Sequence, residues 1–246
     1  MPFTFSHPAF IIPFLNKKIK FSSTALIVGS MAPDFEFFFQ LREVENVGHH
    51  FSGIFLFDLP LTLLLCFLYH GLVRNFLIAN LPLFLLQRVK DIKQFDWFSY
   101  FKDHWIVVMY SSLFGILSHL LLDGFTHYDG LAVLRWSLLS ETLQVGDYVM
   151  PIFFFLQVFL SVIGLLYTFY VIMSYPKAYF HDTSIFVIRG YWPAFICLAL
   201  LIFSIRYLFW PEFNTFWGLV MAFFGSLSYS LIALSFFLNV RKKRSV

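Results

Sequence analysis

Long apolar stretches dominate the chain and are separated by short polar segments. Five of them reach the roughly 20 mostly apolar residues that a helix needs to cross the hydrocarbon core of a bilayer. They cover residues 53–73, 105–123, 149–173, 191–210 and 216–238. None keeps a 3.6-residue period along its whole length, as is usual for helices surrounded by lipid. The pattern predicts an all-α, polytopic integral membrane bundle of about five transmembrane helices, forming a single membrane domain over residues 1–246.

Two shorter apolar stretches are interrupted by polar or helix-breaking residues. The first, 21–39, contains a glycine, a proline and two acidic residues, so the pattern leaves open whether it spans the bilayer, re-enters it or lies on its surface. The second, 76–86, holds an asparagine and a proline and is predicted to be an interfacial helix. Residues 1–52 are expected to form a polar or re-entrant segment that contributes site residues.

Composition narrows the class of protein. The chain is 59% hydrophobic and 13% charged, whereas about a quarter of a soluble domain is charged. These values exclude an ordinary soluble domain, a disordered chain and a coiled coil. Cys66 and Cys197 lie inside apolar stretches, so neither a disulfide framework nor thiolate zinc ligation is indicated. The net charge of +3 is too small to indicate a nucleic-acid partner, and the expected partner is the lipid bilayer.

Basic residues predict the orientation in the membrane. The basic run at 241–244 places the C-terminus in the cytoplasm, in a multi-pass protein of the cell's inner (plasma) membrane. Alternation of the spans then puts 74–104 and 174–190 on the same side, and these inner segments have an excess of basic residues. Lys17, Lys18, Lys20 and Arg42 fall on the outer side and oppose this topology. A sixth span at 21–39 would place the N-terminus inside and remove the conflict.

The run Ser118–His127 carries the strongest chemical signal. His119 and Asp123 are four residues apart, so on a helix they share one face about 6 Å apart. His127 continues that face if the helix extends past Gly124. Two imidazoles and a carboxylate suit zinc or another divalent ion. Helix capping and interface anchoring are the alternatives.

Three further segments of the N-terminal part add candidate ligands. Asp34 follows a proline in an apolar setting, where an unpaired carboxylate is costly and therefore needs a metal, a catalytic role or water. The alternative is an aspartate at a helix N-terminus. His49 and His50 precede the first span, and adjacent histidines are also typical of a surface turn. His7 is unremarkable by itself.

Helix length separates the histidines into groups. At 1.5 Å per residue, His104 lies about 22 Å from His119, and His70 lies about 30 Å from His50. His181 falls in a predicted inner loop. The candidates left on the outer side are predicted to bind one or two divalent ions, with zinc favoured: His7, Asp34, His49, His50, His119, Asp123 and His127. Asp58 is expected either to orient a ligand histidine or to bond to the nearby backbone or a serine.

The last three spans carry few polar residues. Between residues 149 and 238, Gln157 is expected to pack against a neighbouring helix and Arg206 to extend towards the interface. The scarcity of acidic groups argues against a transporter coupled to protons or cations.

Four sequence motifs together resemble a family of bacterial integral membrane proteins of unknown function. The resemblance extends to predicted membrane-bound metal-dependent hydrolases and, more distantly, to the zinc-dependent phospholipase C and single-strand nuclease superfamily. It covers the N-terminal half well and the later half only by hydropathy. The motifs are residues 1–9 (MPFTFSHPA), 29–36 (GSMAPDFE), 49–50 (HH) and 118–127 (SHLLLDGFTH).

The resemblance implies a ligand set and a reaction. It implies that the outer-side histidines and aspartates named above are the metal ligands, with His49 and His50 as alternatives to each other. It also implies that Asp34 is the base. The superfamily has a later His-x3-Glu pair; here the later histidine, His181, is followed by Asp182 on the predicted inner side. One or two ions are therefore expected instead of three.

The leading hypothesis is a metal-dependent hydrolase at the outer interface of the membrane. Asp34 or Glu36 would accept a proton as the catalytic carboxylate, and Ser118 and Thr126 would orient ligands. A phospholipid or a lipid-linked phosphodiester is the expected substrate. The alternative is a non-catalytic membrane protein whose cluster is a structural metal site or polar site.

Overall fold

The structure, a computed structural model, describes residues 3–15, 20–44, 47–89, 95–177 and 190–244. Its helices are Pro8–Ile11 (α1), Ser23–Gly29 (α2), Phe35–Gln40 (α3), Phe51–Ala79 (α4), Leu83–Val89 (α5), Trp97–Thr126 (α6), Leu131–Arg135 (α7), Ile152–Ser174 (α8), Tyr191–Phe209 (α9) and Phe216–Arg244 (α10). Among the described residues, five helices are long and apolar enough to cross a membrane, namely α4, α6, α8, α9 and α10. The predicted all-α class and number of spans are therefore confirmed.

The first long helix extends beyond its predicted end. The stretch 76–86 was predicted to be one interfacial helix, but residues 76–79 belong to α4. Residues 80–86 lie in α5 or just before it. Asn80 ends α4, and its side-chain amide donates to the carbonyl oxygen of Phe76 at 2.8 Å. Pro82 follows at once and supplies no backbone N–H. The stretch is thus divided because its own asparagine and proline terminate one helix before the next begins.

A proline inside α4 coincides with a local widening of the helix. Pro60 has no N–H, and its ring would clash with the carbonyl of the residue four positions earlier in a regular α-helix. The backbone forms a π-turn over Ile54–Asp58, which ends two residues before this proline. Such turns add a residue to the helical repeat and accommodate a local interruption of the α-helical bonds.

A short hairpin precedes α8 where the hydropathy pattern predicted the start of a helix. Strands Thr142–Val145 (β1) and Tyr148–Pro151 (β2) pair in antiparallel orientation. Gly146, at φ 62°, allows the two-residue turn between them. Residues 149–151 of the predicted span therefore lie in a strand.

The stretch 21–39 consists of two short helices joined by a 3-10 turn. α2 has 7 residues and α3 has 6, so neither approaches the length of a membrane span. A 3-10 turn at Ala32–Asp34 contains the proline that separates them. In the described chain this stretch is a broken, largely buried segment.

Contacts divide the chain into two compact units, which are described separately. The predicted single domain stays a prediction. The first unit comprises Met1–Pro33, His49–Leu63 and Asp103–Ser174, and the second Asp34–Gly48, Leu64–Lys102 and Tyr175–Val246.

Close backbone approaches at glycines hold the first unit together. A Cβ on Gly29 of α2 would stand 2.5 Å from the carbonyl oxygen of Ser112 in α6, and one on Gly115 would collide with the carbonyl oxygen of Leu26. The N-terminal turn packs equally closely on α8, where a Cβ on Gly164 would stand 2.9 Å from Ser6. Only a residue without a side chain permits these contacts.

In the second unit, α3 packs against the last helix, α10. Tyr229 of α10 donates its hydroxyl proton to the carbonyl oxygen of Phe39 at 2.8 Å, and Gly225 meets the backbone of Phe38. Ser230 of the same helix donates to the carbonyl oxygen of Phe195 in α9 at 2.7 Å. Polar bonds thus join these three helices within an apolar core.

The glycine contact between α2 and α6 is testable by thermal unfolding in detergent. We expect Gly29→Ala to lower the free energy of unfolding by about 1–3 kcal/mol, because the new methyl group overlaps a carbonyl oxygen. Gly124→Ala is the matched control, since a Cβ there meets nothing within 4 Å. Equal unfolding midpoints for the two variants would contradict the proposed close approach.

Candidate metal centre

The end of α6 supplies the central pair of the candidate centre. His119 and Asp123 are one turn apart, and the Nε2 atom of His119 lies 3.2 Å from Oδ2 of Asp123. Both side chains are buried. The helix does not end at Gly124 but continues to Thr126, and the N–H of His127 still bonds to the carbonyl oxygen of Asp123 at 3.1 Å. The last two turns of α6 and the residue that follows them therefore carry three of the predicted residues.

A backbone carbonyl of the neighbouring segment orients His119. The Nδ1 atom of its ring lies 2.9 Å from the carbonyl oxygen of Ser30, just after α2. A carbonyl only accepts hydrogen bonds, so Nδ1 carries a proton, and Nε2 is the ring atom that faces the Asp123 carboxylate. Hydrogen bonds of this kind fix the ring orientation of metal-ligating histidines. The Gly29–Gly115 contact, one turn earlier on α6, brings the carbonyl into reach.

His7 reaches the centre from the N-terminal turn of the first unit. Its ring stacks on that of His119, with centroids 3.9 Å apart and an interplanar angle of 14°. Its Nε2 atom lies 3.8 Å from Oδ1 of Asp123, and the side chain is fully buried. The N–H of Phe3 donates to the hydroxyl oxygen of Ser161 at 2.8 Å, so α8 anchors the turn that carries His7.

His49, not His50, faces the other residues of the centre. The Nε2 atom of His49 lies 3.5 Å from Oδ2 of Asp123. The carboxylate of Glu36 accepts the backbone N–H groups of Val47 (3.2 Å) and Gly48 (2.8 Å), which fixes the chain immediately before His49. His50 is exposed at the start of α4.

Asp123 is the common neighbour of four imidazoles. Its Oδ1 atom lies 3.8 Å from His7 and 3.6 Å from His127. Its Oδ2 atom lies 3.5 Å from His49 and 3.2 Å from His119. A buried carboxylate is stable only when charge or hydrogen bonds compensate for its lost hydration. Protonated histidines or a metal ion supply that compensation.

Four residues have the geometry of a ligand set. Asp34, His49, His119 and Asp123 each offer one nitrogen or oxygen atom, and these atoms all lie within 4.8 Å of one another. Zinc bonds of about 2.0–2.2 Å place tetrahedral ligand atoms about 3.4 Å apart. The 3.2 Å and 3.5 Å separations at Asp123 already match that value. Asp34 is fully buried and directly follows Pro33, the last residue of the first unit.

His127 lies at the margin of this set. Its Nδ1 atom is 3.1 Å from the carbonyl oxygen of Asp123, so that nitrogen donates to the end of its own helix. Burial lowers the pKa of His127, and the Asp123 carboxylate offsets part of this effect. Because Nδ1 is engaged by the helix end, Nε2 is the available ligand atom of the ring.

The other sequence candidates have different surroundings. Ser118 donates to the carbonyl oxygen of Gly115 at 2.6 Å, and Thr126 to that of Leu122 at 3.0 Å, so both hydroxyls bond to the backbone of α6. Asp58 is fully buried in the π-turn of α4. His181 and Asp182 lie outside the described residues.

One contributor to the centre, the Ser30 carbonyl, and the positioning role of Glu36 were not predicted from the sequence. The Ser30 carbonyl is a backbone group and has no sequence signal of its own. The role of Glu36 in holding the loop before His49 depends on long-range contacts. The glycines at 29 and 115 were the available hint, because small residues mark close approaches between membrane helices.

Fold and site together define a polytopic helical protein with a buried histidine and aspartate cluster at one end of α6. The chain belongs to the family described as Domain of unknown function (DUF4184), whose profile matches residues 1–236. This agrees with the resemblance to a family of unknown function. Neither the curated proteins nor the solved structures contain a significant match to the chain.

Metal content tests the ligand geometry directly. We expect protein purified in detergent without chelator to contain a divalent ion, and His119→Ala and Asp123→Ala to lose most of it, because each removes a central ligand. His104→Ala is the matched control: it removes an exposed histidine from the same helix. Elemental analysis by mass spectrometry provides the measurement. Unchanged metal content in both ligand variants would refute the assignment.

Proposed function

We propose that the protein is a membrane-bound, metal-dependent hydrolase acting on phosphodiesters of lipids. The observation that supports this most directly is the convergence of Asp34, His49, His119 and Asp123, whose ligand atoms lie within 4.8 Å of one another. Imidazole and carboxylate ligands without thiolates are typical of catalytic zinc sites and of other divalent ions. A bound ion of this kind acidifies water to a pKa of about 7 and polarises a phosphoryl oxygen.

The two oxygens of the Asp123 carboxylate face different pairs of imidazoles, which supports binding of one principal ion and a second ion. Oδ2 faces His49 and His119 at 3.5 Å and 3.2 Å. Oδ1 faces His7 and His127 at 3.8 Å and 3.6 Å. We assign the principal ion to the Oδ2 side, where the imidazole nitrogens are nearer, and a second ion to the Oδ1 side.

Asp34 and Glu36 have different roles in this proposal. We assign Asp34 the role of proton acceptor from water, and its burial and its distance of at most 4.8 Å from the ligand atoms of His49 and His119 support this role. The Glu36 carboxylate already accepts N–H groups from Gly48 and from the side chain of Gln40, at 2.8 Å and 3.1 Å. Glu36 therefore acts as a positioning residue for His49.

The surroundings of the site favour a lipid substrate. Directly after His127 the chain exposes apolar side chains, with Tyr128 75% and Leu131 80% accessible. Aromatic and aliphatic groups exposed next to a membrane helix are typical of the interface between headgroups and acyl chains. The bias of basic residues supports an outer location for this end of α6 in our proposal, at the face of the plasma membrane away from the cytoplasm.

A chelator-controlled assay tests the proposal. The protein, reconstituted in liposomes, is offered phospholipids and a water-soluble phosphodiester, with and without a chelator. We expect hydrolysis of the lipid that the chelator abolishes and added zinc restores, and no turnover by the His119→Ala/Asp123→Ala variant. The His104→Ala variant should retain full turnover. Hydrolysis that persists in the chelator would contradict metal dependence.

A structural role is the second candidate. The buried stack of His7 on His119 joins the start of the chain to α6, and a metal there would stabilise the first unit. Metal binding without chelator-sensitive turnover, together with a lower unfolding temperature after metal removal, would favour this role over catalysis.

Substitution of the two acidic residues separates their roles. Asp34→Asn preserves shape and one oxygen ligand but cannot accept the proton, so we expect turnover at saturating metal to fall about 10²–10⁴-fold. Glu36→Gln weakens the support of His49, and we expect metal affinity to fall about 10–100-fold, with turnover restored by excess metal. Titrations of activity against zinc provide the measurement. Identical titration curves for the two variants would contradict the division of roles.

A further inference from the structure

The second unit contains a cavity whose walls carry two arginines. Its volume is about 240 Å³, and a single water needs only about 10–15 Å³. It lies where the chain leaves α3 and where α9 ends. The lining residues are Gln40, Leu41, Arg42, Arg206, Trp210 and Phe213.

Arg206 brings a buried positive charge to this cavity. Its side chain is in the last turn of α9 and the residue is only 2% exposed, so it does not extend to the surface as its sequence position indicated. Its Nε atom donates to the carbonyl oxygen of Leu41 at 2.8 Å, and Nη2 to that of Phe213 at 2.7 Å. Nη1 donates to the side-chain oxygen of Asn214.

These acceptors are neutral, so they satisfy hydrogen bonds without neutralising the charge. Among the described residues, no carboxylate lies within ion-pair distance of the Arg206 guanidinium. The carboxylate of Glu212, in the neighbouring turn, is exposed and acts on the Arg206 charge from beyond that distance. Solvent screens an exposed carboxylate, so it compensates for the buried cation only in part, and an anionic ligand in the cavity would add to that compensation.

Arg42 provides hydrogen-bond donors to the same cavity. Its guanidinium lies over the ring of Phe213, with the central carbon 5.2 Å from the ring centroid. Its Nε atom donates to the side-chain oxygen of Gln40 at 3.1 Å. Within the described part of the chain, its two terminal nitrogens have no hydrogen-bond partner. Phe213 and Gln40 thus fix the planar guanidinium of Arg42, whose terminal N–H groups have the geometry that matches the oxygens of a phosphate.

The backbone between the two arginine contacts adopts an unusual conformation. Leu41 has φ 54°, in the left-handed region that residues with side chains rarely occupy. This turn directs the Leu41 carbonyl to Arg206 and places Arg42 at the cavity. The conformation is that of a helix C-cap, since Leu41 ends α3 and its N–H bonds to the carbonyl oxygens of Phe37 and Phe38.

We propose that this cavity binds a phosphate-type oxyanion between Arg42 and Arg206. The apolar parts of Leu41, Trp210 and Phe213 suit the carbon atoms attached to the phosphate of a lipid headgroup, and free phosphate presents the same oxygens. None of the residues that line the cavity is a proposed metal ligand, and occupancy of the cavity requires no turnover.

Binding by the full-length protein in nanodiscs tests this site. One arm measures inorganic phosphate by calorimetry in nanodiscs of phosphatidylcholine. The other measures retention of phosphatidylglycerol by native mass spectrometry. Arg42→Gln removes the proposed donors, and Arg42→Lys retains the charge without the fork. Arg135→Gln, on the exposed α7, is the matched control for loss of one positive charge.

We expect the wild type to bind at least one of the two probes, and Arg42→Gln to weaken that binding at least tenfold, as for the loss of a charge-assisted hydrogen bond. Arg42→Lys should have an intermediate effect and Arg135→Gln none. Binding of phosphate alone identifies the free anion as the ligand, and retention of the lipid alone identifies the headgroup. Absence of binding to both probes, or equal weakening by Arg42→Gln and Arg135→Gln, would overturn the proposal and leave Arg206 as a cap for backbone carbonyls.

Discussion

The buried carboxylate of Asp123 is the interaction on which the first unit depends. It lies in a helix that is otherwise apolar, and four imidazoles face its two oxygens at 3.2–3.8 Å. Such a carboxylate would destabilise a membrane bundle if the surrounding groups did not compensate for its charge. The need for compensation explains why segments far apart along the chain, at residues 7, 49 and 119, converge on this one turn of helix.

Convergence requires the backbones to approach closely, and glycines make this possible. Gly29 and Gly115 allow α2 to lie directly against α6, and Gly164 allows the N-terminal turn to lie against α8. These contacts carry the Ser30 carbonyl and His7 to His119. The chemistry of the site is thus a consequence of packing between small residues, which in a membrane replaces much of the role that the hydrophobic effect has in water.

The second unit solves a similar problem with a cation. Arg206 is buried near the end of α9 and is held by carbonyl oxygens of three neighbouring turns. Its hydrogen bonds are satisfied locally, and the exposed Glu212 carboxylate acts on its charge from a distance. Each unit therefore buries a charge, which is negative at Asp123 in the first unit and positive at Arg206 in the second.

Hydropathy alone determined the fold class and the five long helices, because the bilayer requires about 20 apolar residues of any span. Helical spacing alone determined that His119 and Asp123 share a face, since residues four apart are neighbours on any helix. The ends of the helices were less predictable: Asn80 and Pro82 divided one expected element, and a hairpin at 142–151 replaced the start of another. Only the tertiary structure decided that His49 and not His50 faces Asp123, that Ser30 orients His119 and that Glu36 supports the loop before His49. These three contacts join segments that are distant along the chain, and one of them uses a backbone carbonyl. Neither a long-range contact nor a backbone group leaves a local signal in the order of residues.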